Sequence, residues 1–220
     1  MGAGDSASAP AWEAAGDWSW VRPWLGLGAA FLVGSIPFSN IAARLSSGVD
    51  LRGVGNGTVS GTGLYRVAGF GPLAAAGVLE IGKGAVGPLL VGRGHPVAAA
   101  LAAGLAVAGH NWSPFLRGAG GRGISPAVGA LAVVGWPGSL LLLTGMAGGK
   151  LLRQAAPGTL LAMAGLVPVL AVTKGRLGAL AGAAVLAPML VKRLLGNAPP
   201  AGQSPGRVYL ARLLFDRDAP

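Results

Sequence analysis

Residues 95–135 read HPVAAALAAGLAVAGHNWSPFLRGAGGRGISPAVGALAVVG. A run of small apolar residues leads into a polar island, Gly109–Gly123, and a second apolar run follows at once. The island holds five glycines, a histidine, a tryptophan and two arginines in fifteen positions. A membrane crossing takes about 20 apolar residues, fewer when short or re-entrant. The stretch therefore reads as two helical pieces joined by a flexible, cationic, hydrogen-bonding loop. The same alternation recurs along the chain and decides the fold class: an all-α, polytopic helical membrane protein.

Composition supports this. Of 220 residues, 52% are hydrophobic and 11% charged, with a mean hydropathy of +0.61. Soluble domains carry roughly 25% charged residues. The absence of cysteine excludes disulfides and thiolate metal sites. No glycine period suggests a fibrous chain. The net charge of +10 reads in so apolar a chain as arginines at cytoplasmic helix ends, not as a nucleic-acid surface. Residues 1–22 carry acids, Pro and Ser, which a signal peptide does not. They read as a polar tail ending in an aromatic belt of Trp18, Trp20 and Trp24. MGAGDS fits the N-myristoylation pattern, but the composition looks bacterial.

Seven helical pieces are expected: 24–45, 67–91, 95–112, 124–135, 138–149, 157–172 and 177–191. Domain limits follow as 1–22 (tail), 23–195 (membrane domain) and 196–220 (basic, Pro-rich tail). With the N-terminus outside, one side collects Arg44, Arg52, Arg66, Arg117, Arg122, Lys150, Arg153, Lys192, Arg193, Arg207, Arg212 and Arg217. The other holds Arg22, Arg93, Lys174 and Arg176. That bias predicts a cytoplasmic C-terminus and puts both glycine-rich loops, 46–66 and 113–123, on the cytoplasmic face.

Three polar islands carry the chemistry. The first is GVDLRGVGNGTVSGTGLYR, Gly48–Arg66, whose glycine turns can aim backbone N–H groups at an anion between arginines. The second is Glu80 with Lys83, at i,i+3 on one helix face within an apolar span. The third is the opening island, with His110 and GGRG beside a helix start. Neither loop is a Walker A sequence. Two such loops with a buried lysine point to an anionic, phosphorylated ligand. An ion path through Glu80 and Lys83 is the transporter alternative, although no internal repeat with broken helices stands out.

Together these islands resemble the membrane-integral acyl-phosphate:glycerol-3-phosphate acyltransferases of bacterial phospholipid synthesis, the PlsY family. GSIPFSNIAARL is similar to that family's opening GSIPxG helix. VDLRGVGNGTVSGTGLYR resembles its VDLRxxGSGNxGATNxxR loop, EIGKG its DxxKG, and GHNWSPFLRGAGGRGISPAVG its GHxxPxFxxFxGGKGVATxxG. The resemblance covers residues 25–195. Gly55, Gly57, Thr62, Arg66, Lys83, Gly109, His110, Phe115, Gly120, Gly121 and Gly123 match. Glu80 replaces an aspartate, Arg122 a lysine, Asn56 a serine, and Thr58 and Gly63 two asparagines. Near the C-terminus, where the family reads HRxNIxRLLxGxE, APMLVKRLLGN places Ala187 and Leu190 at a histidine and an asparagine, with Arg193 retained.

The resemblance implies acyl transfer from acyl phosphate to the 1-hydroxyl of glycerol-3-phosphate, giving lysophosphatidate and phosphate. Phosphate is already a good leaving group, so the protein must chiefly hold two phosphates and align hydroxyl with carbonyl. The His-x4-Asp signature of another acyltransferase class is absent, since Phe115 stands five residues after His110. The implied catalytic set is Lys83, His110, Arg122 and Arg66. The implied phosphate cradle is Gly55, Asn56, Gly57, Thr58, Thr62, Gly120, Gly121, Gly123 and Arg193. No metal, cofactor, nucleic acid or obligate protein partner is expected, and the bilayer is the chain's setting. Ala187, Leu190, Thr58 and Gly63 motivate the other alternative, a weak or silent homologue that binds a lipid phosphate.

Overall fold

A computed structural model describes residues 20–198 and 204–217. Most of the expected N-terminal tail, with Trp18, lies outside the described residues. Trp20 and Trp24 are exposed. Among the described residues the elements are helical, with no strand.

The piece expected over 24–45 is two helices, α1 (Arg22–Gly34) and α2 (Phe38–Ser47). Pro37 makes the break: it lacks an N–H and disfavours helical backbone at the residue before it. The Ser35 hydroxyl bonds back to the Phe31 carbonyl at 2.6 Å. The piece expected over 67–91 is one helix from Phe70, preceded by a helix that begins within the stretch expected as a loop. A short helix, α3 (Gly61–Ala68), begins at Ser60, whose hydroxyl accepts the Gly63 N–H at 3.1 Å as an N-cap. Gly69, at φ 80°, separates it from α4 (Phe70–Val91). Then follow α5 (Pro96–Asn111), α6 (Ile124–Val134) and α7 (Trp136–Leu151).

The next helix, α8 (Ala155–Leu195), has 41 residues. Straight, it would run about 60 Å, twice the roughly 30 Å hydrocarbon core. It is a hairpin instead. Gly175, at φ 66°, turns the chain, and Arg193 Nη2 donates to the Ala156 carbonyl at 2.9 Å. The two arms correspond to the pieces expected over 157–172 and 177–191. Among the described residues, three stretches are long and apolar enough to cross a membrane: Arg22–Ser47, Phe70–Val91 and Ala155–Leu195.

The bundle packs backbone against backbone. A Cβ on Gly84 would strike the Pro126 backbone, and one on Gly129 the Ile81 carbonyl, so α4 and α6 touch directly. Such small-residue contacts are how helices associate where the solvent is itself apolar. Val107, Leu131, Leu142, Leu166, Leu170 and Met189 fill the main core.

The cations separate to two ends. Arg22 lies beside Gly92 at one end. At the other stand both glycine loops, the C-terminus of α5 and the two ends of α8. Within the stretch expected as a tail, residues Pro205–Phe215 form a helix, α9. Arg212 donates to the Leu195 and Ala198 carbonyls at 2.5 and 2.9 Å, and Arg193 Nε to the Leu213 carbonyl at 2.8 Å. Guanidinium groups thus satisfy carbonyls that helix C-termini leave unpaired.

Candidate functional site

The α1–α2 break builds the inner part of the site. It frees the Ile36 carbonyl and presents the Ser39 N–H at the start of α2. Glu80 Oε1 accepts from the Ser39 N–H at 3.0 Å and the Ser39 hydroxyl at 3.1 Å. Glu80 Oε2 pairs with Lys83 Nζ at 2.6 Å and with His110 Nδ1 at 3.1 Å. Lys83 Nζ also donates to the Ile36 carbonyl at 2.6 Å and stands 5.8 Å from the Phe38 ring. The side chains of Lys83, Glu80 and His110 are 1%, 3% and 10% exposed. With Nδ1 held by a carboxylate, neutral His110 carries its free lone pair on Nε2. That nitrogen faces Gly121, where a Cβ would collide with it.

The two glycine loops meet above this cluster. Gly55 and Gly57 take φ of 59° and 71°, values that glycine adopts without strain. Asn56 Oδ1 accepts the Thr58 N–H at 3.2 Å. The Val59 N–H reaches the Gly120 carbonyl at 3.1 Å. Asn197, just past α8, closes the junction. Its Nδ2 donates to the Gly57 and Gly120 carbonyls at 2.9 and 3.0 Å, and its Oδ1 accepts the Gly120 N–H at 3.1 Å. The Gly121 N–H donates to the His110 carbonyl at 3.3 Å. Gly120 and Gly121 therefore serve close backbone approach, with their own N–H groups already engaged. Thr58 Oγ1 is buried at this junction without a hydrogen-bond partner.

A cationic rim surrounds the loops. Arg122 Nε pairs with Asp216 Oδ1 at 2.7 Å, and its Nη1 donates to the Lys192 carbonyl at 2.8 Å. Lys192 is 1% exposed; its amine lies 3.4 Å from the Gly118 carbonyl and 5.4 Å from the Trp112 ring. Asp50 pairs with Arg44 and, at 2.7 Å, with Arg52. The Arg52 hydrogen bond, reinforced by Arg44, holds the Asp50 carboxyl well below the usual carboxylate range. Beside them a groove of about 360 Å³ is lined by Ile36, Ile41, Phe115 and Leu116 together with Arg44 and Arg52.

The expected residues are thus gathered unevenly. Lys83, His110, Gly55, Asn56, Gly57, Thr58, Gly120, Gly121, Gly123 and Arg122 share one end of the bundle. Thr62 and Arg66 are exposed on the first and last turns of α3, and neither bonds to the cluster. Arg193 is spent on the Ala156 and Leu213 carbonyls. Ala187 is exposed, and Leu190 packs against the apolar core. Ser39, Lys192, Asn197 and Asp216 were not expected in the site. Ser39 sits inside GSIPFSN and was open to detection there; the other three carry no local signal. Among the described residues no three His, Cys, Asp or Glu side chains gather as a metal site.

Comparison with known proteins follows the same outline. The family model described as glycerol-3-phosphate acyltransferase matches residues 24–198. A glycerol-3-phosphate acyltransferase of Rhodospirillum rubrum is 34% identical over 134 residues, covering 55% of this chain and 62% of that protein. Glycerol-3-phosphate acyltransferase 2 of Moorella thermoacetica is 43% identical over 109 residues, covering 49% and 56%. The chain thus spans about three-fifths of the length of these curated relatives. The crystal structure of PlsY (YgiH), an integral membrane glycerol 3-phosphate acyltransferase in its glycerol 3-phosphate form, superposes with a TM-score of 0.68 at 24% identity. That match covers 78% of this chain and 88% of the other, and shows a shared fold. With the family model matched over most of its length, the chain belongs to the glycerol-3-phosphate acyltransferase family.

Proposed function

We propose that the protein transfers an acyl group from acyl phosphate to the 1-hydroxyl of glycerol-3-phosphate, releasing phosphate and forming lysophosphatidate. The observation that carries this reading is the junction of two glycine loops, pinned by Asn197, directly over the Glu80–Lys83–His110 cluster. Family membership and the cationic rim support it.

The chemistry asks little covalent work of the protein. A carbon–oxygen bond to glycerol forms as the carbon–oxygen bond to phosphate breaks, and the hydroxyl proton is released. What remains is to hold two phosphates and one acyl chain in register. Arg122 supplies charge at the rim, Lys83 fixes the Glu80 carboxylate that holds His110, and Asn56 and Thr58 add polar contacts. His110, fixed through Nδ1, turns Nε2 toward the loops. The apolar wall of the groove, with Arg44 and Arg52 at its edge, suits an acyl chain that ends in phosphate. The cation partition supports an outward N-terminus, a cytoplasmic C-terminus and site, and residence in a bacterial inner membrane. No cofactor or protein partner is needed.

A second reading, a silent homologue that binds a lipid phosphate, is favoured by one observation: Leu190 is packed into the apolar core where the family carries asparagine. Purified protein in detergent with palmitoyl phosphate and glycerol-3-phosphate decides between them. Lysophosphatidate and phosphate above a Lys83→Ala control are expected. Their absence sinks the acyltransferase reading, and retained acyl-phosphate binding would then support the second.

A further inference from the structure

We infer that Asp216 is a positioning residue for substrate phosphate, acting through Arg122; the inference rests on the acyltransferase reading above. Asp216 follows α9, beyond the family-matched residues 24–198. Its carboxylate nevertheless reaches back to a cation inside the glycine-rich loop, pairing with Arg122 Nε at 2.7 Å. Arg122 stands where the resemblance places a lysine. The two cations differ in what they need. An ammonium is a compact point charge on a flexible stem, whereas a guanidinium is a planar fork whose aim decides what it binds.

Arg122 is aimed from two sides. Asp216 Oδ1 stands 2.7 Å from Nε as an ion pair outside hydrogen-bond alignment, and the Lys192 carbonyl accepts from Nη1 at 2.8 Å. Nη2 is the remaining edge of the guanidinium fork, the one assigned to the anion. The support is itself clamped: Arg193 and Arg212 bind α9 to the end of α8 through the Leu213, Leu195 and Ala198 carbonyls. The C-terminal helix thereby completes a site that the arginine substitution had made dependent on orientation.

The test compares wild type with Asp216→Asn, Asp216→Glu, Arg122→Lys and the Arg122→Lys/Asp216→Asn pair, in detergent. Steady-state kinetics are read for palmitoyl phosphate and glycerol-3-phosphate separately, with thermal unfolding alongside. Asp216→Asn should raise KM for one phosphate substrate about tenfold, with kcat changed less than about threefold. The substrate affected identifies which phosphate Arg122 meets. Tm should stay within about 2 °C, and Asp216→Glu should recover most of the affinity. With lysine at 122, Asp216→Asn should add no further loss. Higher turnover in Asp216→Asn would show a carboxylate that blocks the site, and would overturn the inference. So would an unchanged KM, or an equal KM rise with lysine at 122. A wild-type protein without turnover overturns the acyltransferase reading and the inference with it.

Discussion

Two charged clusters share one end of the bundle and are held by opposite means. In the inner one, a single carboxylate, Glu80, meets Lys83, His110 and both donors of Ser39. In the rim, Arg122, Lys192, Arg193 and Arg212 are held largely by main-chain carbonyls, with Asp216 on Arg122. The difference follows from depth. Within the span, leaving one member of an ion pair unpartnered costs several kcal/mol, so cation and anion come together. At helix ends, unpaired carbonyls are available and carry partial negative charge. The inner cluster is internally compensated and suits fixed positioning. The rim keeps surplus positive charge and suits an incoming anion.

The sharpest way to break this contrast is Lys83→Ala. Removing one partner of a buried pair should destabilise by about 3–5 kcal/mol, and lysophosphatidate formation should fall about 100-fold or more. Joint replacement, Glu80→Gln with Lys83→Met, should recover stability without recovering turnover. Recovery of both would reduce the cluster to a structural pair. Next in size is Gly121→Ala. The added methyl would sit 2.6 Å from the Val59 carbonyl and against the His110 ring, a strain of about 1–3 kcal/mol. Turnover should drop about 10-fold or more, while Gly82→Ala, with nothing within 4 Å, should leave stability unchanged or slightly raised.

How much of this was legible in the sequence also divides by depth. Glu80 and Lys83 are one helical turn apart, so their pairing could be read directly. The gathering of both loops at one end followed from cation bias and loop spacing. The break at Ser35–Pro37 was not read, although Pro37 announces it, because the hydropathy runs on through it. Asn197 could not be foreseen: its contacts lie 140 and 77 residues away, and no local pattern encodes them. The helix over 205–215 was hidden by Pro205 at its start and by its charge. It is held by Arg193 and Arg212, whose partners are backbone groups that every sequence has.

Asn197 offers a smaller, cleaner test of the rim. Asn197→Ala removes three hydrogen bonds joining the loops. A loss of about 1–2 kcal/mol is expected, with KM rising about 3- to 10-fold and kcat little changed. Detergent thermal unfolding and steady-state kinetics would check it. A fall in kcat with constant KM would move Asn197 from holding the binding loops to the chemistry itself.

The smallest effect concerns Asp50, whose two arginines border the groove. Its folded-state pKa is depressed, so its stabilisation is complete above the unfolded carboxyl pKa of about 4 and fades as pH falls toward the folded value. At pH 7, Asp50→Asn should cost less than about 1 kcal/mol, as partly exposed ion pairs do. The gap in Tm between wild type and variant should be constant from about pH 7 to 5 and close as pH drops below about 4. A gap that persisted in acid would mean that Asp50 acts through its shape and its bond to the Arg52 N–H. The groove's edge would then belong, like the inner cluster, to the fixed part of the site, and only the Arg122 rim would remain responsive to charge.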